Sequence, residues 1–244
     1  MTSFSIRLRL IYFDVLLSFS QTLAAAFFLL AGYFFNTMEG GLAWNKKNSM
    51  ANLNFHAVFM CSGLVVLQGE ALLMFRLLRY EAKLLSKTLH VLFHATALSF
   101  AGFAIYSAVK DKNESGVAHF YSFHSWLGIC VLTTYLTQFV FGLAAFSLGI
   151  VPAAARASFL PLHRAAGTVI FAASAAQCTL GAVTYSIYIE STPSFSCYST
   201  LSCQSRLDLI FNFALCSLAL YAISVVILVT PALWRRDKTP EEEE

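Results

Sequence analysis

The chain has 244 residues, of which 58% are hydrophobic and only 12% charged, and its formal net charge is +3. A soluble domain is about 45–50% apolar and about one-quarter charged, so this composition excludes an ordinary soluble protein and indicates an integral membrane protein. The small, scattered net charge argues against a nucleic-acid-binding surface. Six cysteines without a C-x-x-C pair are typical neither of a disulfide scaffold nor of a structural zinc site.

Six apolar runs follow one another along the chain, and each is long enough to cross about 30 Å of hydrocarbon as a helix. No alternation typical of a β-barrel is evident, and helices satisfy their own backbone polar groups in lipid. The predicted fold class is an all-α membrane protein with six transmembrane helices, of which helices 2–5 form a central four-helix bundle. The runs lie near residues 11–36, 54–76, 88–109, 123–148, 162–188 and 208–233.

Lysines and arginines are unevenly distributed between the two sides of these runs. Eleven of the sixteen lie on one side, and the side richer in basic residues is normally cytoplasmic. The prediction is a multi-pass protein with a cytoplasmic N-terminus at 1–10, a transmembrane domain at 11–233 and a cytoplasmic tail at 234–244. The cytoplasmic residues are Arg7, Arg9, Arg76, Arg79, Lys83, Lys87, Arg156, Arg164, Arg235, Arg236 and Lys238, and the others are Lys46, Lys47, Lys110, Lys112 and Arg206.

Four histidines each begin a different run, from the second to the fifth. The series consists of His56, His90, His124 and His163, and each lies one span plus one loop after the one before it. Consecutive histidines therefore alternate between the two sides of the membrane. This spacing predicts an outer pair, His56 with His124, and an inner pair, His90 with His163. Ionisable residues in membrane spans are costly, which favours a functional role for all four.

Two imidazoles facing each other across a helical bundle can hold one planar haem through both axial positions. An iron ligated in this way does not readily bind oxygen and is left to carry electrons. From a rise of about 1.5 Å per residue, the two histidine layers are expected roughly 20–25 Å apart. Two alternatives stay open: helix-end histidines at the headgroup level without a function, and proton relays of a proton-coupled transporter without haem.

Three segments resemble the cytochrome b561 family of transmembrane ascorbate-dependent oxidoreductases. Residues 121–126, Y-S-F-H-S-W, look like the family's S-L-H-S-W segment, with Phe123 in place of leucine. Residues 71–76, A-L-L-M-F-R, are similar to its A-L-L-V-Y-R motif, and residues 161–167 resemble its P-x-H-x-x-x-G segment. The resemblance implies two b-type haems per chain and a homodimer. It also implies ascorbate as the cytoplasmic donor and monodehydroascorbate or a ferric chelate as the acceptor on the other side.

Basic residues near the inner histidine pair are candidates for binding anions. Family members are similar to this chain in placing lysines seven and three residues before the helix-three ligand, here Lys83 and Lys87. Arg76 and these lysines are expected in the loop that leads to His90, and Arg156 in the loop before His163. Lys83, Lys87 and Arg156 would bind ascorbate there. Arg76, at the end of the A-L-L-M-F-R segment, is expected to bind the haem, because arginine suits propionates. The alternative is that these charges only reflect the positive-inside bias.

The outer loop before His124 carries candidates for binding the acceptor. His119, Lys112, Asn113 and Tyr121 are expected to hold an anionic or chelated-iron acceptor. The alternative for His119 is a solvated loop residue. Asn113 also begins a glycosylation sequon, whose use stays open.

Other polar residues near or within the spans have less specific expectations. His94 lies one helical turn after His90. It is expected to be either a core histidine with satisfied hydrogen bonds or a neighbour of the inner haem. Glu70, Gln138 and Gln177 are expected to form interhelical hydrogen bonds. No internal repeat is evident.

Two further questions stay open at the level of sequence. Whether Cys197 and Cys203 form a disulfide depends on an oxidising outer compartment. Endosomal, lysosomal, vesicle and plasma membranes share the same cytoplasmic orientation, and no targeting signal decides among them.

Overall fold

The computed structural model describes residues 3–37, 41–44, 51–189 and 207–235, and within these ranges the chain is helical with no β-strand. Six of its helices are long and apolar enough to cross a membrane, which confirms the predicted all-α, six-helix fold. We call the end at which α2 ends and α3 begins the inner end, and the opposite end the outer end. The helices are α1 (Ser3–Thr37), α2 (Ala51–Leu77), α3 (Lys83–Ser115), α4 (Phe123–Ser147), α5 (Ala153–Ile189) and α6 (Leu207–Val229).

Helices α3 and α5 extend well beyond the apolar runs that predict them. Helix α3 begins at Lys83 and α5 at Ala153, and α5 continues through Pro161. Hydropathy marks the hydrocarbon layer, whereas a helix continues into the interface wherever its residues favour helix, as the alanine-rich start of α5 does. Pro161 lacks a backbone donor and crowds the carbonyl group one turn earlier, and α5 nevertheless continues through it. The prediction that Arg76, Lys83, Lys87 and Arg156 lie in loops is therefore wrong, since all four lie on helices.

The helices form two hydrophobic clusters that divide the bundle. In the larger cluster α1 and α6 pack together against α2 and α5, with Phe34, Phe171 and Tyr221 almost completely buried. The smaller cluster joins α2, α3, α4 and α5 through residues such as Ala97 and Tyr135. Helices α1 and α6 thus support the bundle of α2–α5 from one side.

Helices α2 and α4 each contain a π-helical segment. In α2 it spans Ser62–Leu67, and in α4 it spans Leu143–Ser147 at the inner end. A π turn holds one more residue than an α turn and occurs frequently at functional sites. In α2 the segment also contains Gly63, where an added Cβ would lie 2.9 Å from the Phe100 Cβ of α3. The segment thus lies where α2 and α3 approach closely.

Gly69 permits the close approach of α2 to α6. A Cβ at this position would lie 2.5 Å from the Tyr221 hydroxyl oxygen. That hydroxyl lies 3.1 Å from the backbone oxygen of Val66 and 2.9 Å from Glu70 Oε1, which also accepts a hydrogen bond from Gln21 of α1. Glu70 therefore joins three helices, and the predicted interhelical hydrogen bond at this residue is confirmed.

We expect Gly69→Ala to destabilise the protein by about 1–3 kcal/mol, the usual cost of forcing an extra group into a packed core. The added methyl group would push Tyr221 away from both of its acceptors. Gly32→Ala in α1 is the matched control, because a Cβ there meets nothing within 4 Å. Thermal unfolding in detergent measures both changes. Equal midpoints for the two variants would contradict the close α2–α6 contact.

Candidate functional site

The four predicted histidines form two pairs, one near each end of the α2–α5 bundle. The ring centroids of His56 on α2 and His124 on α4 are 6.2 Å apart near the outer end. Those of His90 on α3 and His163 on α5 are 6.5 Å apart near the inner end. A metal–imidazole bond is about 2 Å long and a ring centroid lies about 1 Å behind its nitrogen, so one metal ion between two rings separates their centroids by about 6 Å. Both pairs have this spacing.

A large cavity surrounds the outer pair. Its volume is about 1080 Å³, and both His56 and His124 line it. Most of its other lining residues are apolar, as in typical cofactor sites. Cavities that bind organic ligands measure about 300–1,000 Å³. A porphyrin therefore fits between these two imidazoles in both volume and chemistry.

The histidine of α2 forms a hydrogen bond with the backbone of α3, and the histidine of α3 forms one with the backbone of α2. His56 Nδ1 lies 3.0 Å from the Ala104 backbone oxygen, and His90 Nδ1 lies 2.8 Å from that of Ala71. A carbonyl oxygen only accepts, so each Nδ1 carries the proton and donates it. The other ring nitrogen, Nε2, is then unprotonated and available to a metal. Both rings have the tautomer that a haem ligand requires.

The two histidines of α4 and α5 are held by glutamines. The Gln177 amide nitrogen lies 2.8 Å from His124 Nδ1, and that of Gln138 lies 2.9 Å from His163 Nδ1. Each contact joins α4 to α5. The prediction that Gln138 and Gln177 form interhelical hydrogen bonds is confirmed, with partners that sequence reasoning did not name.

Glycines provide the space for the same two rings. A Cβ on Gly181 would lie 2.8 Å from His124 Cε1, and one on Gly142 would lie 2.9 Å from His163 Cε1. Each glycine follows the glutamine of its helix by four residues. An alanine at either position would occupy part of the volume that the imidazole fills.

These histidines, glutamines and glycines belong to a repeat in the sequence. The pattern H-x₃-G-x₉-Q-x₃-G occurs at 124–142 and again at 163–181. Sequence reasoning missed it, because no internal repeat is strong enough to name from the sequence alone. The pattern consists of four widely spaced positions among variable apolar residues, so it becomes visible only once the contacts identify which positions matter.

The basic residues predicted at the inner end lie near one another. Lys87 donates a hydrogen bond to the Phe146 backbone oxygen in the π segment of α4, at 2.8 Å. The positive charges of Lys83 and Arg156 both act on Lys87. Lys83 is exposed, and the other two are partly buried. The three residues form a positive patch beside the inner end of α4, which we call the inner basic patch.

Arg76 lies deeper and connects α2 to the end of α6. It is only 7% exposed, and its Nη2 group donates to the Val229 backbone oxygen. Its Nη1 group is buried and has no hydrogen-bond partner among the described residues. A buried unpartnered donor is costly, so this group fits an anionic ligand such as a propionate.

The residues predicted to bind the outer acceptor also lie together, at the end of α3 and in the loop that follows. Lys112 Nζ lies 4.6 Å from the centroid of the Tyr121 ring, and His119 Nε2 lies 2.8 Å from Asn113 Oδ1. Lys112, His119 and Tyr121 line the cavity that contains the outer histidine pair. Lys112 and Asn113 belong to α3 and not to the loop, because α3 continues to Ser115.

His94 is a buried neighbour of the inner pair. Its ring centroid is 4.4 Å from that of His90, and its Nδ1 lies 2.7 Å from the hydroxyl oxygen of Tyr135, which is 2% exposed. Within the described residues no group of three or more His, Cys, Asp or Glu side chains could hold a metal ion. His94 thus has the satisfied contacts of a core histidine.

Some predictions concern residues outside the described ranges. These include the possible disulfide between Cys197 and Cys203, most of the tail, and several charges used to predict the orientation. The residues concerned are Lys46, Lys47, Cys197, Cys203, Arg206, Arg236 and Lys238.

Comparison with known proteins gives consistent matches over most of the chain. The family model described as eukaryotic cytochrome b561 matches residues 55–188. The chain is 32% identical to the sheep (Ovis aries) transmembrane ascorbate-dependent reductase CYB561, over 93% of this chain and 86% of that protein. It is 33% identical to the rice (Oryza sativa subsp. japonica) "Probable ascorbate-specific transmembrane electron transporter 1", over 80% of each. The human (Homo sapiens) CYB561 reductase is 30% identical, over 93% of this chain and 86% of its own.

Proposed function

The chain belongs to the eukaryotic cytochrome b561 family, and from this premise we propose that it transfers electrons from cytoplasmic ascorbate across a membrane to an acceptor on the other side. Relatives in animals and plants carry names that state ascorbate-dependent reduction or electron transport. The proposal includes two haem b groups per chain, and monodehydroascorbate or a ferric chelate as the acceptor. It also includes a homodimer in an endosomal, lysosomal, vesicle or plasma membrane.

The observation that carries the proposal is the presence of two imidazole pairs with metal-binding spacing, one near each end of one bundle. His56 and His124 would hold the outer haem, and His90 and His163 the inner one. Bis-histidine haem supplies one-electron chemistry, because both axial positions are occupied and oxygen cannot readily bind. The surrounding residues hold the imidazoles, exclude water and bind the substrates.

The inner basic patch of Lys83, Lys87 and Arg156 is suited to bind ascorbate, which is a monoanion at neutral pH. Lys87 is fixed at one side by Phe146, so its charge is held beside the end of α4. Arg156 lies on the first turns of α5, the helix that carries His163. The patch therefore attracts the donor to the end of the bundle where the inner pair lies.

At the outer end, Lys112, His119, Asn113 and Tyr121 are suited to an anionic or chelated acceptor. Lys112 and Tyr121 supply a cation stacked on an aromatic ring beside the cavity of the outer pair. With both termini cytoplasmic, electrons move toward the positive side of the membrane. A full crossing is then favourable by about 2.3 kcal/mol per 100 mV.

The visible spectrum of the purified chain tests this proposal against a haem-free, proton-coupled transporter. We expect a Soret band, two haems per chain by quantification, and a shift of the spectrum on addition of ascorbate. A colourless protein after expression with adequate haem supply would reject electron transfer and favour the transporter. One haem per chain would reject the two-pair assignment.

We expect Lys87→Ala to raise the ascorbate concentration needed for half-maximal haem reduction by about tenfold or more, as for a lost charge-assisted hydrogen bond. The absorption spectrum should not change, because Lys87 donates its hydrogen bond to the Phe146 backbone oxygen and not to a histidine ring. Lys110→Ala is the matched control, since Lys110 lies on the same helix at the outer end and pairs with Glu114. Stopped-flow reduction at two salt concentrations measures both variants. An unchanged ascorbate dependence in Lys87→Ala would remove Lys87 from the donor site.

A further inference from the structure

We propose that Arg79, Trp234 and Arg235 form a binding site for the phosphate headgroup of an anionic membrane lipid at the inner end of the protein. Arg79 lies just after α2, and the other two residues lie at the end of the short 3₁₀ helix that follows α6. We call this group the arginine–tryptophan site. The inference goes beyond the proposed electron transfer and does not depend on haem.

Phe13 of α1 brings the parts of this site together. The centroid of its ring lies 4.4 Å from Arg79 Cζ and 5.4 Å from the centroid of the Trp234 ring. Trp234 also stacks on Tyr12, with ring centroids 6.1 Å apart. Three segments of the chain therefore meet at one point, namely α1, the residues after α2 and the residues after α6.

The site contains buried hydrogen-bond donors that lack an acceptor. Trp234 is only 6% exposed, and its Nε1 has no hydrogen-bond partner among the described residues. The same is true of Nε and Nη1 of Arg79, although the rings of Phe13 and Tyr80 lie beside its guanidinium group. Buried donors in native proteins are nearly always paired. These donors therefore indicate an acceptor that the described residues do not supply.

Positive charge surrounds these donors. Arg76 is subject to the charges of three other arginines, which are Arg235, Arg164 and Arg79. Within the described residues no carboxylate forms a salt bridge with any of the four. Arginine binds phosphate through two parallel hydrogen bonds from its planar fork. The acceptor that suits this site is therefore an anion, and a phosphate group suits it best.

The surroundings of the site favour a lipid over a soluble phosphate. Next to it along α1 and the 3₁₀ helix, Leu8, Ile11 and Leu233 are each more than half exposed, and they can contact acyl chains. Tryptophan and tyrosine are enriched where a membrane meets water. Basic pockets between transmembrane helices on the cytoplasmic side bind anionic lipid headgroups, and the inner end is the predicted cytoplasmic side.

Lipid binding to the delipidated full chain in an uncharged detergent tests the proposal. The probes are phosphatidylinositol 4-phosphate, phosphatidylcholine and inorganic phosphate. Native mass spectrometry counts the bound lipid, and thermal unfolding reports stability. We expect phosphatidylinositol 4-phosphate to bind and to raise the unfolding midpoint, because a ligand of the folded state stabilises it. Phosphatidylcholine and inorganic phosphate should do neither at the same concentration, and an equal effect of inorganic phosphate would overturn the assignment to a lipid.

Arg79→Lys and Trp234→Phe distinguish a specific site from general positive charge. Arg79→Lys keeps the charge but loses the guanidinium donors, and Trp234→Phe keeps an aromatic ring but loses the Nε1 donor. Each variant should weaken binding of phosphatidylinositol 4-phosphate by about 10–100-fold, as for a lost hydrogen bond to a charged group. The rise of the unfolding midpoint on addition of this lipid should disappear in both. A change in packing alone would lower the midpoint equally with and without lipid.

Lys83→Gln is the matched control, because it removes a whole charge from an exposed residue at the same end. It should weaken lipid binding by no more than about fivefold, as for one basic residue near a membrane surface. Unchanged binding in both site variants would overturn the inference, and so would an equal loss in Lys83→Gln and Arg79→Lys. Absence of haem from the unmodified chain would reject the proposed function and would leave this inference intact.

The acidic tail of the chain is the rival anion for the same donors. The combined change Glu241→Gln, Glu242→Gln, Glu243→Gln and Glu244→Gln removes its charge. We expect this variant to bind phosphatidylinositol 4-phosphate at least as tightly as the unmodified chain, with the same midpoint in the absence of lipid. A lower midpoint without lipid, matched by that of Arg79→Lys, would assign the donors to the tail and overturn the inference.

Discussion

Replacement of His163 by alanine is expected to remove the inner haem and to reduce ascorbate-driven electron transfer by more than about 100-fold. Loss of even an outer-shell partner costs about 10–100-fold in metal affinity, and this change removes a proposed axial ligand itself. The outer pair does not depend on His163, so its haem should remain partly occupied. Haem quantification, the reduced absorption spectrum and acceptor reduction by proteoliposomes measure the effect.

Two controls make this result specific. Added imidazole should restore part of the inner haem signal in His163→Ala, because it can enter the space that the missing ring leaves. His119→Ala removes an exposed histidine of the outer loop and should retain both haems. Equal loss of both haems in His163→Ala would show that the pairing of His90 with His163 is incorrect.

Gly181→Ala is expected to weaken the outer haem site alone, although it changes no ligand. The new Cβ would lie 2.8 Å from His124 Cε1 and would force the ring away from its position opposite His56. Overpacking of this kind costs about 1–3 kcal/mol, or roughly ten- to hundredfold in haem affinity. Gly142→Ala should have the same effect on the inner haem through His163. The rate of haem transfer to apomyoglobin measures each site.

The control for this pair is Gly102→Ala on α3, where a Cβ meets nothing within 4 Å. This variant should retain both haems, and its helix should gain up to about 1 kcal/mol from the loss of a glycine. If Gly181→Ala loses haem to apomyoglobin no faster than the wild-type chain, the His124 ring can move without losing the metal.

The pairing of the histidines could be predicted from the sequence because it depends only on direction along the chain. In a bundle whose helices alternate, spacings of one span plus one loop place His56 with His124 and His90 with His163, whatever the details of packing. The ring centroids at 6.2 and 6.5 Å agree with that expectation.

The ends of the helices and the supports of the rings could not be predicted in the same way. Hydropathy reports where lipid begins, so it placed Lys87 and Arg156 in loops although both lie on helices. The partner of a buried amide depends on the rotation of one helix against its neighbour, which hydropathy does not specify. Gln177 was therefore expected to bond across helices without a named partner. The pattern shared by 124–142 and 163–181 gives both helices the same spacing of histidine and glutamine, but only the contacts pair Gln177 with His124.

The π segment at Ser62–Leu67 determines how side chains at one end of α2 are oriented relative to those at the other end. The interval from His56 to Ala71 on α2 is one residue longer than the corresponding interval from His90 to Ala104 on α3. The wider π turn absorbs the extra residue, so His56 and Ala71 still face the same neighbouring helix. In a regular α-helix one additional residue would rotate Ala71 by about 100° away from His90. The number of residues in α2 is therefore fixed by the alignment of two distant histidine contacts with α3, independently of how apolar those residues are.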